Sequence, residues 1–136
     1  LLSARERFDL LRATDAEARR LLELKQYDQV LDQIVAFEAR IGGRTIEPWL
    51  NARLWVTQAR AEQALGKFEA AETTLKRAWG VVADFPPYTA EYGEALRAHV
   101  QLYQAWNAAA PGRGHDALLR EWQQRLMRHD QLSTGR

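Results

Sequence analysis

The chain has 136 residues, 46% apolar and 27% charged, with 19 Lys and Arg against 18 Asp and Glu and no cysteine. Its length suits one domain over 1–136 that buries about 65–70% of the surface of its unfolded chain, and its composition excludes disorder and a fibrous class. A formal charge of +1 exerts no net pull on a polyphosphate backbone, so no nucleic-acid partner is expected. Without cysteine there is no disulfide, thiolate zinc site or cysteine nucleophile, and cytoplasm and periplasm suit the chain equally. No apolar run approaches the roughly 18–20 residues that cross a bilayer, and the opening LLSARERFDLL alternates charge with leucine, unlike a signal peptide. No membrane segment is expected. The chain starts without methionine and is expected to be a domain of something longer.

Turn signals divide the chain into about six helical stretches. The first runs from near Ser3 to Leu24, with Phe8, Leu11, Ala18, Leu21 and Leu22 at helical spacing and Ser3 with Glu6 as a capping box. Thr14 with Glu17 forms a second box and marks a candidate division. Tyr27 to Ile41 repeats apolar side chains at Val30, Leu31, Ile34 and Phe37, then meets Gly42-Gly43, which ends a helix. Pro48 suits the first turn of a third helix over about 48–65, and Gly66 suits the left-handed cap after it. A fourth helix, Phe68 to Asp84, stops at Pro86-Pro87. The fifth is expected over about Thr89 to Asn107 and the sixth over about Asp116 to Asp130, separated by the loop APGRG and followed by a frayed QLSTGR tail. No stretch alternates β-branched and polar residues as a strand does, so the class is all-α.

These helices repeat with a period near 41. Tyr27 answers to Phe68, Val30 to Ala71, Ile34 to Leu75 and Phe37 to Ala78, and the short loops Lys25-Gln26 and Gly66-Lys67 fall in register. The same shift pairs Ala18 with Ala59 and continues to Val100, placing all three at close helix contacts. Each unit is one helical hairpin, over about 3–42, 47–85 and 89–130, and three stacked copies are about the minimum that cover one another's apolar faces. Trp79 and Trp106 each end an apolar stripe and are expected to be buried between units.

The middle unit, with Trp55, Ala59, Gly66, Phe68, Ala71, Leu75 and Ala78 in order and spacing, resembles the tetratricopeptide repeat. It departs at Gln58 and Glu62, where the pattern wants apolar residues, and its Pro86 comes late. Residues 52–128 carry the resemblance well and the first unit weakly. More narrowly, LYQAWN at 102–107 and the segment around it look like the C-terminal end of repeat arrays attached to bacterial eukaryotic-type serine/threonine kinases, where a segment reading roughly LYEAWG precedes a short terminal helix. The resemblance implies three stacked antiparallel hairpins in a short superhelix, and a non-catalytic module that binds a protein or peptide. A purely structural, self-associating homodimer module is the runner-up. A small-ligand sensor or a transcription-activator arm stands third.

Most chemistry-bearing residues read as structure. Trp55, Phe68, Trp79, Tyr103, Trp106 and Trp122 sit at helical spacing and suit packing. His99, His115 and His129 lie 16 and 14 apart, without the i, i+3 or i, i+4 spacing that grips a metal, and GRGH at 112–115 lacks any phosphate-cradle spacing. No cofactor, metal or catalytic residue is assigned, since Asp9, Glu17, Glu62 and Glu72 are scattered on helices without a nucleophile or compelling base partner. One charge pattern stands apart. Arg12 and Arg19 are seven apart, Arg53 and Arg60 are seven apart, and the two pairs differ by the repeat shift of 41. Seven residues is close to two turns, so each pair lies along one stripe. The resemblance puts these stripes on the inner wall of a groove, joined in the third unit by Arg97, Gln101 and Gln104 as the basic character fades. One reading is a solvated face; the other is a partner-binding wall for an acidic or phosphorylated segment.

Overall fold

The computed structural model describes residues 1–134, and among them six helices and no strands occur. The class is all-α. The first helix, α1 (Ala4–Glu23), begins where the capping box was expected: Ser3 Oγ accepts the Glu6 N–H at 3.1 Å and Glu6 Oε1 accepts the Ser3 N–H at 3.1 Å. It is not divided at Thr14, which is buried in mid-helix. After it come α2 (Tyr27–Ile41) and α3 (Pro48–Ala64). Gly42 and Gly43 end α2 at φ 75° and 76°, a conformation that only glycine takes without strain. Buried Asn51 organises the next loop, its Oδ1 accepting from the N–H groups of Ile46 and Glu47 at 2.8 and 2.9 Å.

The last three are α4 (Phe68–Val82), α5 (Ala90–Ala109) and α6 (His115–Thr134). Here three sequence boundaries shift. The α4 helix stops at Val82, short of Asp84; α5 runs past Asn107 as far as Ala109, next to the loop holding Pro111. The segment expected to fray after Asp130 is helical to Thr134, because His129 pins the last turns by stacking on Tyr92 at 5.6 Å and donating from Nε2 to the Pro87 carbonyl at 2.7 Å. The Gly135-Arg136 end of that tail lies outside the described residues.

The 41-residue period reappears in backbone geometry. The α1–α2 turn closes with bonds from the N–H groups of Leu24, Lys25 and Gln26 to the carbonyls of Arg20, Leu22 and Leu21. In the α3–α4 turn, Leu65, Gly66 and Lys67 bond to Ala61, Gln63 and Glu62, each partner 41 positions on. Both turns place their second residue at positive φ, 60° at Lys25 and 76° at Gly66. The α5–α6 connection departs from this, since α6 starts 115 − 68 = 47 residues after α4 rather than 41.

Successive helices pack against each other, and α3 also meets α1 and α5. Thus α1, α3 and α5 lie side by side as one layer. Their apolar residues feed two clusters. Leu11, Ala18, Leu21, Val30, Ile34 and Phe37 surround the α1–α2 hairpin with Leu50, Leu54 and Ala61 of α3. The second cluster joins Ala52, Trp55, Val56 and Ala59 of α3 to Ala71, Leu75 and Ala78 of α4, Leu96 and Leu102 of α5, and Trp122 of α6. Ala18 and Ala59 are buried as expected, but Val100 is half-exposed, and Ala95 and Ala98 occupy the closely packed side of α5 instead. Val100 borders a surface groove with Leu126 and Met127 of α6. Trp79 and Trp106 are only partly buried, although each lies in an aromatic contact: Trp79 meets Tyr92 and Trp122 at 5.2 Å, and Trp106 stacks on Phe68 at 5.8 Å and His115 at 4.1 Å.

The departures from the repeat pattern at Gln58 and Glu62 have a local cause. Glu62 is nearly buried between α3 and α4, where Thr74 Oγ1 donates to it at 2.7 Å and Gln58 Nε2 at 3.3 Å. A polar bridge therefore replaces an apolar contact.

Candidate functional site

The layer of α1, α3 and α5 carries a cleft of about 210 Å³ lined by Arg19, Arg53, Val56, Arg60, Glu91 and Glu94, with Ala52, Thr57 and Ala90 completing it. Its floor is apolar because Ala52 and Val56 belong to the core. Three of the seven residues expected on the wall line this cleft. Arg97 reaches it only through its pair with Glu94, Arg12 lies two turns before Arg19 on α1, and Gln101 and Gln104 are exposed farther along α5; none of these four lines it.

The five arginines are in different electrostatic states. Arg53 donates from Nη2 to Asp15 Oδ2 at 2.5 Å, and Asp15 is only 2% exposed. The Arg53 guanidinium also lies 5.5 Å from the centroid of the Trp49 ring. Such a charge pair is held in place, since removing either member strands a desolvated charge. Arg60 donates to Glu94 Oε2 at 2.9 Å and Arg97 to Glu94 Oε1 at 3.3 Å, one carboxylate thus spanning two guanidiniums. Burial acts to raise the Glu94 pKa, but the charges and hydrogen bonds of Arg60 and then Arg97 outweigh it and hold the carboxyl below its ordinary value. Arg12 and Arg19 are exposed and make no ion pair among the described residues.

Asp15 and Glu91 were missed by sequence reasoning. The signal for Asp15 was present: it interrupts the stripe Leu11, Ala18, Leu22 on α1, and a carboxylate in an apolar stripe requires a cationic partner. The repeat shift pointed elsewhere, matching Asp15 with Val56 while its partner is 38 residues away. Glu91 sits in the first turn of α5, where the helix dipole favours a negative charge, and it makes no ion pair among the described residues.

Away from the cleft, the three histidines stack on three different aromatic rings: His99 on Trp122 at 3.7 Å, His115 on Trp106 and His129 on Tyr92. His99 is 1% exposed and donates from Nδ1 to the Ala95 carbonyl at 2.7 Å, leaving Nε2 buried without a partner. Burial first, then repulsion from Arg125 and Lys76, bring its pKa down to about 4 against the opposing effects of Ala95 and Glu72, so the ring is neutral at pH 7. Tyr103 donates its hydroxyl to Glu72 at 2.7 Å; burial and this carboxylate raise its pKa. Among the described residues no group of three or more His, Asp or Glu converges as a metal would require, and no helix is long and apolar enough to cross a membrane. Comparison of the chain with protein-family models, curated proteins and solved structures returns no match.

Proposed function

We propose that this chain is a non-catalytic protein- or peptide-binding module of the tetratricopeptide kind, three hairpins stacked as a short superhelix, and that the α1–α3–α5 layer is its partner-binding face. The observation that carries the reading is the state of Arg19: it stands at a cleft with an apolar floor and has no carboxylate of its own, while Arg53, Arg60 and Arg97 are already paired. An anionic group entering from outside would meet Arg19, with Arg12 two turns away on the same stripe, without breaking an internal pair. The recurring turn geometry at Lys25 and Gly66 supports the repeat assignment. A sensory or scaffolding place in a bacterial signalling protein, such as a serine/threonine kinase, follows from the resemblance at LYQAWN.

The pairing of Arg53 and Arg60 sets which variants can test this. Reversing charge at Arg53 would place a carboxylate against buried Asp15 and perturb the fold itself. Arg12→Glu/Arg19→Glu alters exposed positions, where substitutions usually stay within about 0.5 kcal/mol each. An array of acidic and phosphoserine-bearing peptides is screened against wild type and this double variant at low and high salt. Selective capture of acidic or phosphorylated peptides by wild type is expected, weakening as the Debye length shortens from about 10 Å at 0.1 M to about 3 Å at 1 M. Equal capture by the folded double variant would refute the role of this face.

A further inference from the structure

The cleft is electrically polarised across its width, and this assigns its ligand a chemistry more specific than acidity. On the α1 side stands Arg19, unpaired and exposed; on the α5 side stands Glu91, also without an ion pair among the described residues, with Glu94 beside it already shared by Arg60 and Arg97. Between them lie Ala52, Val56 and Ala90. Taking the wall as Arg12, Arg19, Arg53, Arg60 and Arg97 with Asp15, Glu91 and Glu94, the internal pairs leave one uncommitted cationic side and one uncommitted anionic side rather than a uniform basic surface.

We propose, resting on the peptide-binding reading above, that the cleft takes a segment bearing both an acidic and a basic side chain, the acidic one turned to Arg19 and the basic one to Glu91. Size agrees with side chains rather than a whole small molecule, since pockets for drug-sized ligands run to about 300–1,000 Å³ and this one holds about 210 Å³. An aliphatic lysine or arginine stem would lie over Val56 and Ala90 while its charged head reached Glu91. A purely acidic segment would instead bring like charge against Glu91 on the cleft lining. The occupant crosses α3 rather than running parallel to it. Packed helices lie about 8–10 Å apart, so two such steps separate the α1 and α5 axes, shortened by the reach of both side chains. An extended chain rises about 3.3 Å per residue, which places the two charges a few residues apart.

The test is a titration of isotope-labelled protein, read from the backbone amide shifts of Ala52, Val56 and Ala90. The probes are blocked alanine–glycine peptides carrying one Glu and one Lys, separated by one to four residues, and counterparts carrying two Glu. At the best spacing the mixed peptide is expected to bind roughly two- to fivefold more tightly than its di-acidic counterpart, the range an exposed ion pair supplies. That preference should vanish in Glu91→Gln, whose own spectrum reports its fold, and Arg19→Gln should weaken both peptides. Di-acidic peptides binding as well as mixed ones at every spacing, with cleft amides shifting, would overturn the bipolar assignment and leave the peptide-binding face standing. If no peptide of either series moves the cleft amides, both readings fail.

Discussion

His99→Phe keeps a flat ring against Trp122 and removes a titrating group, so it isolates what the buried imidazole does to stability. The folded pKa of His99 is lowered to about 4 from an ordinary 6.5. Between those values the unfolded chain binds a proton that the folded chain refuses, so stability is complete above pH 6.5 and falls as the solution is acidified towards pH 4. Linkage puts the loss from this group at about 2 kcal/mol between pH 7.5 and pH 5, approaching about 3 kcal/mol at pH 4. The charged groups nearest the ring, Arg125, Lys76 and Glu72, are common to both proteins and cancel in the comparison to first order. Urea unfolding followed by tryptophan fluorescence at pH 7.5 and pH 5 should show wild type losing about 2 kcal/mol more than the variant. Equal losses would refute a neutral, sequestered His99.

Two further outcomes follow from single positions. Arg53→Ala should cost about 3 kcal/mol in denaturant unfolding at neutral pH, at the low end for breaking a buried pair because the Arg53 side chain is 34% exposed, and adding Asp15→Asn should recover much of it; a cost under about 1 kcal/mol for the single variant would show that Asp15 does not depend on Arg53. Lys25→Gly should raise stability by about 0.5–1 kcal/mol, because Lys25 holds φ 60° where the equivalent turn has Gly66, and an unchanged melting temperature would show that the strain is absorbed elsewhere.

What could be read in advance was local. Ser3 with Glu6, Gly42-Gly43, Pro48 and Gly66 each impose their conformation within one turn of chain, and each appears where it was expected. The failures were relational. The 41-residue shift carries from α3 into α5, where Leu96 answers to Trp55 and Leu102 to Ala61, but it says nothing of how α6 covers Val100, which borders an open groove with Leu126 and Met127; the end of α6 holds through an anchor, the Pro87 carbonyl, 42 residues from His129. The candidate site divides in the same way. Heptad spacing and the repeat shift brought out the arginine stripes, but which arginines were committed depended on Asp15 and Glu94, which reach Arg53 and Arg60 from neighbouring helices and, in the case of Glu94, Arg97 from one turn earlier on α5. Gln101 and Gln104 share the helix of Glu91 and Glu94 but not their end of it, and a stripe argument does not tell one end of a helix from the other.

The position of α3 has a consequence for any attempt to divide the molecule. It sends Leu50, Leu54 and Ala61 into one apolar cluster and Ala52, Trp55, Val56 and Ala59 into the other, and its buried residues encircle it. A cut in the loop before Pro48 would leave the first fragment with an open sheath and the second with bare leucines; a cut after Gly66 would strand the same helix on the other side. Arg77 adds a strap over this helix, its guanidinium 4.1 Å from the Trp55 ring centroid while it donates to the Gly43 carbonyl at 3.1 Å and pairs with Glu38 at 3.6 Å, so α4 is tied to the end of α2 across α3. The two halves are therefore complementary parts: mixed as separate fragments, 1–47 and 48–134 would have to find each other through α3 before the first could hold its shape.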